Sequence, residues 1–153
     1  MRFHISVNTN QPIEIVWEAF IKPENMLHWT KYLEKVEVVK GKLGEIGAVS
    51  RLHYLEKGKP YILEDKLVSY EEGKKIGSQV SGQRMLINVE TFFESLNGGT
   101  KISMDWDGTS DSFIMSFIFK LMRRKMIKQA ESELHHFKSL VEKYGETFPN
   151  KPP

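Results

Sequence analysis

The chain of 153 residues contains no cysteine. Disulfide bonds and thiolate metal sites are therefore excluded, so packing and hydrogen bonds must hold the fold together. The N-terminal segment MRFHISVNTN also lacks the apolar run behind a basic start that marks a secretory signal. We accordingly expect a cytoplasmic location.

An excess of charge of one sign is missing as well. The formal net charge is +2, which gives no case for a nucleic-acid partner, because such binding needs clustered surplus Lys and Arg. Long hydrophobic runs are also absent: the longest, Phe113 to Phe119, is broken by Ser116 and is far shorter than the ~20 residues needed to span a bilayer. We expect no transmembrane segment.

What is present is an ordinary globular composition, 40% hydrophobic and 27% charged. No repeat, low-complexity segment or interdomain linker interrupts it. We therefore predict a single domain over residues 1–145, followed by a flexible tail over 146–153.

The C-terminal third, from Asp111 to Tyr144, contains no Gly or Pro and predicts one long helix. Asp111 is placed to cap its start, and Gly145 stands where a helix usually ends. In the second half, one narrow arc at helical spacing holds Ile127, Ala130, Leu134, Phe137, Lys138 and Val141. This arc is the face that we expect to pack on the rest of the fold.

The remainder reads as strands around a short helical insert. Near the N-terminus, three apolar residues alternate with polar ones, namely Phe3, Ile5 and Val7. Pro12 and Pro23 mark the start and end of a short helix, and a second short helix leads to Trp29. From Val36 onwards, alternating segments are separated by turn residues at spacings of roughly ten residues. The strongest hairpin signal is Asn97-Gly98-Gly99.

This order predicts an α+β fold: a strand, two short helices, six strands and a long helix. A curved antiparallel sheet of about seven strands would wrap around the C-terminal helix.

Short segments spread along this order carry a resemblance to a known family. They are Gln11–Trp17, Lys22–Asn25 with Trp29, Gly44–Gly47, Tyr70–Lys75 and Asn97–Thr100. By their order and spacing, the chain resembles the SRPBCC or START-like superfamily over roughly residues 1–144. That superfamily includes polyketide cyclases, lipid-transfer domains and the birch pollen allergen fold. The resemblance implies a helix-grip fold whose cavity, between sheet and helix, holds an apolar small molecule.

Strand parity predicts which side chains face the helix. The inward sets are Ala48, Ser50, Leu52 and Tyr54; Ile76, Ser78 and Val80; Met85, Ile87, Val89, Thr91 and Phe93; and Ile102, Met104 and Trp106. An apolar lining with a few hydroxyls suits a lipophilic pocket. A packed core without a cavity needs the same residues inside, so parity leaves both readings open, and the resemblance favours the cavity.

From these sets and the resemblance we derive the candidate ligand-contacting residues. They are Trp29, Ser50, Leu52, Tyr54, Ser78, Val80, Ile87, Val89, Met104, Trp106, Phe119 and Arg123. Arg123 enters because the helix phase turns it towards the sheet, where its guanidinium could pair with a ligand carboxylate or with Asp65. The alternative is that it extends off the helix edge into water.

The first half of the long helix, Phe113 to Phe119, is apolar on all sides. Two interpretations stay open. Loops and the short helices could cover it, or it could form a dimer contact or a peripheral membrane contact helped by the nearby basic residues. In keeping with this, we expect a monomer or a weak homodimer.

Catalytic signals are weak. The five histidines show no metal-ligand spacing, and no nucleophile elbow, phosphate loop or dinucleotide fingerprint is present. We expect no metal and no cofactor. Tyr54, Asp65 and Arg123 are the acid–base candidates, with Ser50 as a further polar group.

Three functions follow. The preferred one is binding or transport of a hydrophobic small molecule such as a lipid, an isoprenoid or an aromatic polyketide. The alternatives are a cyclase- or dehydratase-like enzyme acting on such a molecule, or a protein-interaction domain of the same fold.

Overall fold

The computed structural model describes residues 1–149 and contains three helices and seven strands in the predicted order. Their bounds are β1 Arg2–Thr9, α1 Ile13–Ile21, α2 Pro23–Trp29, β2 Leu33–Lys40, β3 Val49–Glu56, β4 Lys59–Glu71, β5 Lys75–Gly82, β6 Met85–Leu96, β7 Gly99–Ser110 and α3 Phe113–Tyr144. The predicted α+β architecture is confirmed.

The strands form a seven-stranded antiparallel sheet in the order β1-β7-β6-β5-β4-β3-β2. Strands β2 to β7 follow one another through hairpins, and β1 pairs with β7 to complete the sheet. Alternation along β1 buries Phe3, Ile5 and Val7 while their polar neighbours face water. Phe3 lies opposite Trp106 in the register, and the two rings stack with centroids 5.3 Å apart. The predicted parity is therefore confirmed.

The long helix α3 packs against β1 and β7, and both short helices contact α3 and the sheet. The predicted arc points into the core, where Leu134, Phe137 and Val141 are almost fully buried. Lys138, at the edge of this arc, donates from Nζ to the carbonyl oxygen of Asn8 at 2.7 Å. The aromatic ring of Phe137 contacts those of Phe20 and Trp29, so α1, α2 and α3 share one cluster.

The start of α3 differs from the prediction by one residue. Ser112, and not Asp111, is the N-cap, because its Oγ accepts the backbone N–H of Met115 at 3.4 Å. A capping side chain must reach the N–H two or three residues further on, and Asp111 is one position too early to do so. The predicted end is confirmed: Gly145 adopts a φ of +76° and donates its N–H to the carbonyl oxygen of Val141.

The prediction of a flexible tail is wrong for residues 146–149. Phe148 is buried and packs on Phe137 with ring centroids 5.9 Å apart. Asn25, itself buried, donates to the carbonyl oxygen of Glu146 at 2.7 Å and accepts the N–H of Phe148 at 3.1 Å. The Asn25 amide thus pairs with two backbone groups of this irregular segment that have no partner in a helix or strand. Residues 150–153 of the predicted tail lie outside the described residues.

The interpretation in which loops and short helices cover the first half of α3 is also wrong. Phe113 is 91% exposed and Phe117 is 59% exposed. These exposures mean that neither the loops nor the short helices cover the two side chains. Only Phe119 in this segment is buried.

Candidate functional site

A cavity of about 800 Å³ lies between the inner face of the sheet and the helices. Each of strands β3 to β7 lines it with alternate side chains, and α2 and α3 complete the wall. Because alternate residues of a strand share one face, the sets that parity placed inwards appear together in this lining. The interior therefore combines this cavity with a packed core, to which α1, β1 and the second half of α3 contribute.

Ten of the twelve candidate ligand-contacting residues line the cavity. They are Trp29, Ser50, Leu52, Tyr54, Ser78, Val80, Ile87, Val89, Met104 and Trp106. Their contact with a ligand stays a prediction, since it requires a bound molecule. Of the acid–base candidates, Tyr54 and Asp65 line the same space and Arg123 does not.

Phe119 and Arg123 lie outside the cavity. Phe119 is buried elsewhere, and the Arg123 guanidinium is exposed and donates to the carbonyl oxygen of Arg2 at 3.1 Å. The predicted helix phase was correct, but that face of α3 covers β1. The neighbouring stripe, Met122, Met126, Gln129 and Glu133, lines the cavity together with Ala130 and Leu134 of the predicted arc. Among the described residues Arg123 forms no ion pair with Asp65, and its guanidinium lies at the exposed edge of the helix, as the alternative interpretation predicts.

Glu133 is a carboxyl group in the cavity wall whose pKa is raised by burial. Its Oε1 accepts the backbone N–H of Lys31 at 3.2 Å and the side-chain N–H of Gln129 at 3.2 Å. Burial raises the pKa of Glu133 from 4.5 to about 7, because these two hydrogen bonds and the Lys31 charge only partly offset the loss of water. At neutral pH this group exists in both protonation states.

Two tyrosines and a second carboxyl extend this polar group along β3 and β4. The rings of Tyr54 and Tyr61 are opposite in the register and stack with centroids 4.9 Å apart. Burial, with Glu133 nearby, raises the pKa of Tyr54, so its hydroxyl remains protonated. Burial likewise raises the pKa of Asp65, although a hydrogen bond from Ser78 works against that rise. The cavity thus presents hydroxyl and carboxyl groups within an apolar wall.

Several polar atoms of the wall are buried and unpaired. Trp29 Nε1, Trp106 Nε1 and Thr30 Oγ1 have no hydrogen-bond partner among residues 1–149. Trp29 is itself more than nine-tenths buried. Buried N–H groups are normally satisfied, so each of these donors favours an acceptor within the cavity.

The cavity reaches solvent at its rim. Seven of the residues that line it are also exposed, namely Val38, Lys42, Leu43, Lys59, Pro60, Gln83 and Met122. Met122 belongs to α3, whereas the others belong to or border β2, β4 and β5. A small molecule therefore has a route to the interior.

Sequence reasoning missed Glu133 and Tyr61. Parity along β4, which was not assigned, would have placed Tyr61 and Asp65 on the same inner face, because they are four residues apart on one strand. Glu133 gave a weaker signal: it borders the apolar arc of α3, where a carboxylate is usually solvated. Its burial became visible only when α2 and β3 were seen beside it.

The arrangement supplies hydrogen-bonding and acid–base groups. No group of three or more His, Asp or Glu side chains within residues 1–149 is arranged to hold a metal ion. Of the five histidines, none lines the cavity. His4 and His53 face outwards and contact Asp105 and Glu37, respectively.

A family model described as polyketide cyclase/dehydrase and lipid transport matches residues 1–142. The chain belongs to this family. The match covers nearly the whole described chain, including every element that lines the cavity. No curated protein matches the chain significantly in sequence.

Solved structures show the same fold at low identity. The crystal structure of Ara h 8.0201 has a TM-score of 0.76 and 15% identity, covering 92% of this chain and 97% of that chain. A protein from Chromobacterium violaceum has a TM-score of 0.74 and 15% identity, with coverages of 92% and 96%. An AHSA1-like protein from Aeromonas hydrophila has a TM-score of 0.69 and 18% identity, with coverages of 94% and 93%. These similarities establish the helix-grip fold.

In the described part of the chain, no helix is both long and apolar enough to cross a membrane.

Proposed function

We propose that this family member binds and transports a hydrophobic small molecule in the cavity between its sheet and α3. The cavity itself is the observation that carries this proposal. Its volume of about 800 Å³ lies within the ~300–1,000 Å³ typical of small-molecule sites. A packed core, the alternative open at the level of the sequence, would have left no such space.

The wall suits a lipophilic ligand with one polar end. Its apolar residues would remove the body of the ligand from water, which is the main favourable term in such binding. The group of Glu133, Tyr54, Tyr61 and Asp65 would then fix its orientation through hydrogen bonds. This combination, with an apolar wall and few polar groups, is typical of a carrier site.

Native mass spectrometry of freshly expressed protein, followed by solvent extraction, tests this function. We expect a co-purifying lipophilic species. As a cavity-blocking variant, Val89→Trp should lose it, since Val89 lines the cavity. The matched control is Val68→Trp, which places the same ring at an exposed strand position and should retain it. A ligand-free wild type that also shows no thermal shift with lipids or polyphenols would contradict the proposal.

The second candidate function is acid–base catalysis on the bound molecule. The observation that favours it is a carboxyl group with a pKa of about 7 beside a protonated tyrosine, because a catalytic acid or base works best near the ambient pH. Incubating the extracted ligand class with the protein would reveal turnover. If Glu133→Gln abolished turnover while binding persisted, the enzyme would replace the carrier as the better account. A filled interior would have favoured a protein-interaction role, and the cavity does not support that role.

A further inference from the structure

The charge inside the cavity restricts which polar group a ligand can bring. Glu133 and Asp65 both face the interior, and neither forms an ion pair with a Lys or Arg of the described chain. Three lysines contribute to the wall, but Lys42 and Lys59 are exposed at the rim. The third, Lys22, donates from Nζ to Thr147 Oγ1 at 2.8 Å.

The groups that face Glu133 are hydrogen-bond donors, and the Lys31 ammonium is a positive charge that acts on it. From the α2–β2 loop, Lys31 donates its backbone N–H, while its ammonium lies over the ring of Tyr32 at 5.1 Å. From β3 and β4 come the hydroxyls of Tyr54 and Tyr61, and from α3 the amide of Gln129. A ligand carboxylate here would lose water without gaining a Lys or Arg partner inside the cavity, and it would meet a like charge whenever Glu133 is ionised, which is unfavourable.

A hydroxyl group fits both features of the wall. It donates to a carboxylate oxygen, and it accepts from the unpaired N–H of Trp29 or Trp106. Its oxygen can also accept a hydrogen bond from the O–H of the neutral acid form, so it is compatible with either state of Glu133. A protonated amine would satisfy the carboxylates through charge-assisted hydrogen bonds.

We propose that the cavity selects lipophilic molecules whose polar group is an alcohol, a phenol or a protonated amine, and that it rejects carboxylates such as fatty acids. This inference rests on the proposed carrier function, because it concerns the same cavity. It specifies the polar group of the ligand and does not specify the structure of its apolar part.

Three ligands with one alkyl chain test the selection: decan-1-ol, decylamine and decanoate. Their affinities are measured by displacement of the neutral fluorophore N-phenyl-1-naphthylamine from the full chain near neutral pH. We expect the alcohol and the amine to bind about tenfold or more tightly than decanoate, the scale of one charged hydrogen bond gained or lost. In Glu133→Gln the amine should weaken and decanoate should strengthen. Glu131→Gln, an exposed position on the same helix, is the control and should match the wild type.

The outcomes separate the two proposals. Displacement of the fluorophore by decanoate as readily as by the alcohol would overturn the selection while leaving the carrier function intact. If decanoate binding were then lost in Lys42→Ala or Lys59→Ala, its carboxylate would be bound by the exposed lysines at the rim, and the selection would still be overturned. Failure of the fluorophore and of all three ligands to bind would overturn both.

A different observation concerns the outer surface at the start of α3. Four large apolar side chains project from two turns: Phe113, Ile114, Phe117 and Leu121, the last of these 69% exposed. Their spacing of three and four residues puts them on one side of the helix. We call these four residues the α3 ridge. An exposed cluster of this kind marks an interaction site in soluble domains.

The charges around the α3 ridge indicate the partner. From Ser112 to Ala130 the sequence contains five basic residues and no acidic one. Arg124 and Lys128 continue the same side of the helix, and Lys120 and Lys125 flank it. All four are exposed. Arg84 lies beside the start of the helix, where its carbonyl oxygen accepts a hydrogen bond from Ser110 Oγ at 3.1 Å.

We infer that the α3 ridge docks on the surface of an anionic lipid bilayer, with its apolar side chains in the headgroup region and its basic residues against the lipid charges. Met122, from the same turns, also lines the cavity rim. Docking would therefore bring the cavity next to the membrane, where a lipophilic ligand is most concentrated.

Vesicle co-sedimentation tests this surface. We expect the full chain to bind phosphatidylcholine vesicles that contain phosphatidylglycerol, to bind pure phosphatidylcholine weakly, and to be released by salt. Phe117→Ser with Leu121→Ser should weaken binding about tenfold or more, since two apolar anchors are lost. Leu96→Ser, at an exposed apolar position in the β6–β7 hairpin, should have no effect. Absence of binding to anionic vesicles would overturn the inference. So would a dimer in ultracentrifugation that the double variant dissociates, since the ridge would then pack on a second copy.

Discussion

Replacing Glu133 with Gln should stabilise the protein at high pH and change little at low pH. Glu133 is held in a cavity wall where its charged form has lost much of its water. Its pKa rises from 4.5 to about 7 on folding. Folding therefore favours the protonated form, so its contribution to stability is complete below pH 4.5 and is lost as the pH rises through 7.

The size of the effect follows from the same values. Each pKa unit corresponds to about 1.4 kcal/mol, so the rise on folding amounts to about 3 kcal/mol once both states are ionised. Between about pH 5 and about pH 8.5, the free energy of unfolding of the wild type should fall by about 2–3 kcal/mol relative to Glu133→Gln. Asp65, whose pKa burial also raises, is present in both proteins. Its contribution therefore cancels in the comparison.

Urea denaturation, followed by tryptophan fluorescence across this pH range, measures the difference. Glutamine retains an oxygen that can accept the N–H of Lys31, so the local geometry is preserved. Glu131→Gln provides the control, since Glu131 is exposed on the same helix, and its profile should follow that of the wild type. A difference between wild type and Glu133→Gln that stayed constant with pH would refute the reasoning, because burial of an ionisable carboxyl would not be its cause.

Three further predictions concern the fold. Phe137→Ala should lower the free energy of unfolding by about 3–5 kcal/mol in urea denaturation, since the ring is fully buried. Phe113→Ala, at an exposed position, should change the free energy of unfolding by less than about 0.5 kcal/mol. Equal losses in the two variants would contradict the assigned core. Phe148→Ala should cost about 2–4 kcal/mol in the same assay, whereas an unattached tail would show no loss. Gly99→Ala should prevent normal pairing of β1 with β7, because its Cβ would collide with the carbonyl oxygen of Thr9; an unchanged melting temperature would refute this.

Much of the fold could be predicted because its signals are local. Alternation in β1 sets which side chains are buried whatever the rest of the chain does, because the geometry of a strand has a period of two. The arc of α3 and its end at Gly145 are similarly local, as are the turns that separate the strands. The order of these elements was enough to identify the family.

The sequence by itself therefore determined the elements, their order and the inner and outer faces of the strands. Tertiary structure alone decided whether the space between sheet and helix would be filled, because a packed core and a cavity need the same inward residues. It also decided that α3 turns the Arg123 face towards β1 and the Glu133 face towards the cavity, and that Asn25 holds Phe148 in place. Each of these depends on contacts between residues far apart in the chain, where no local period carries information.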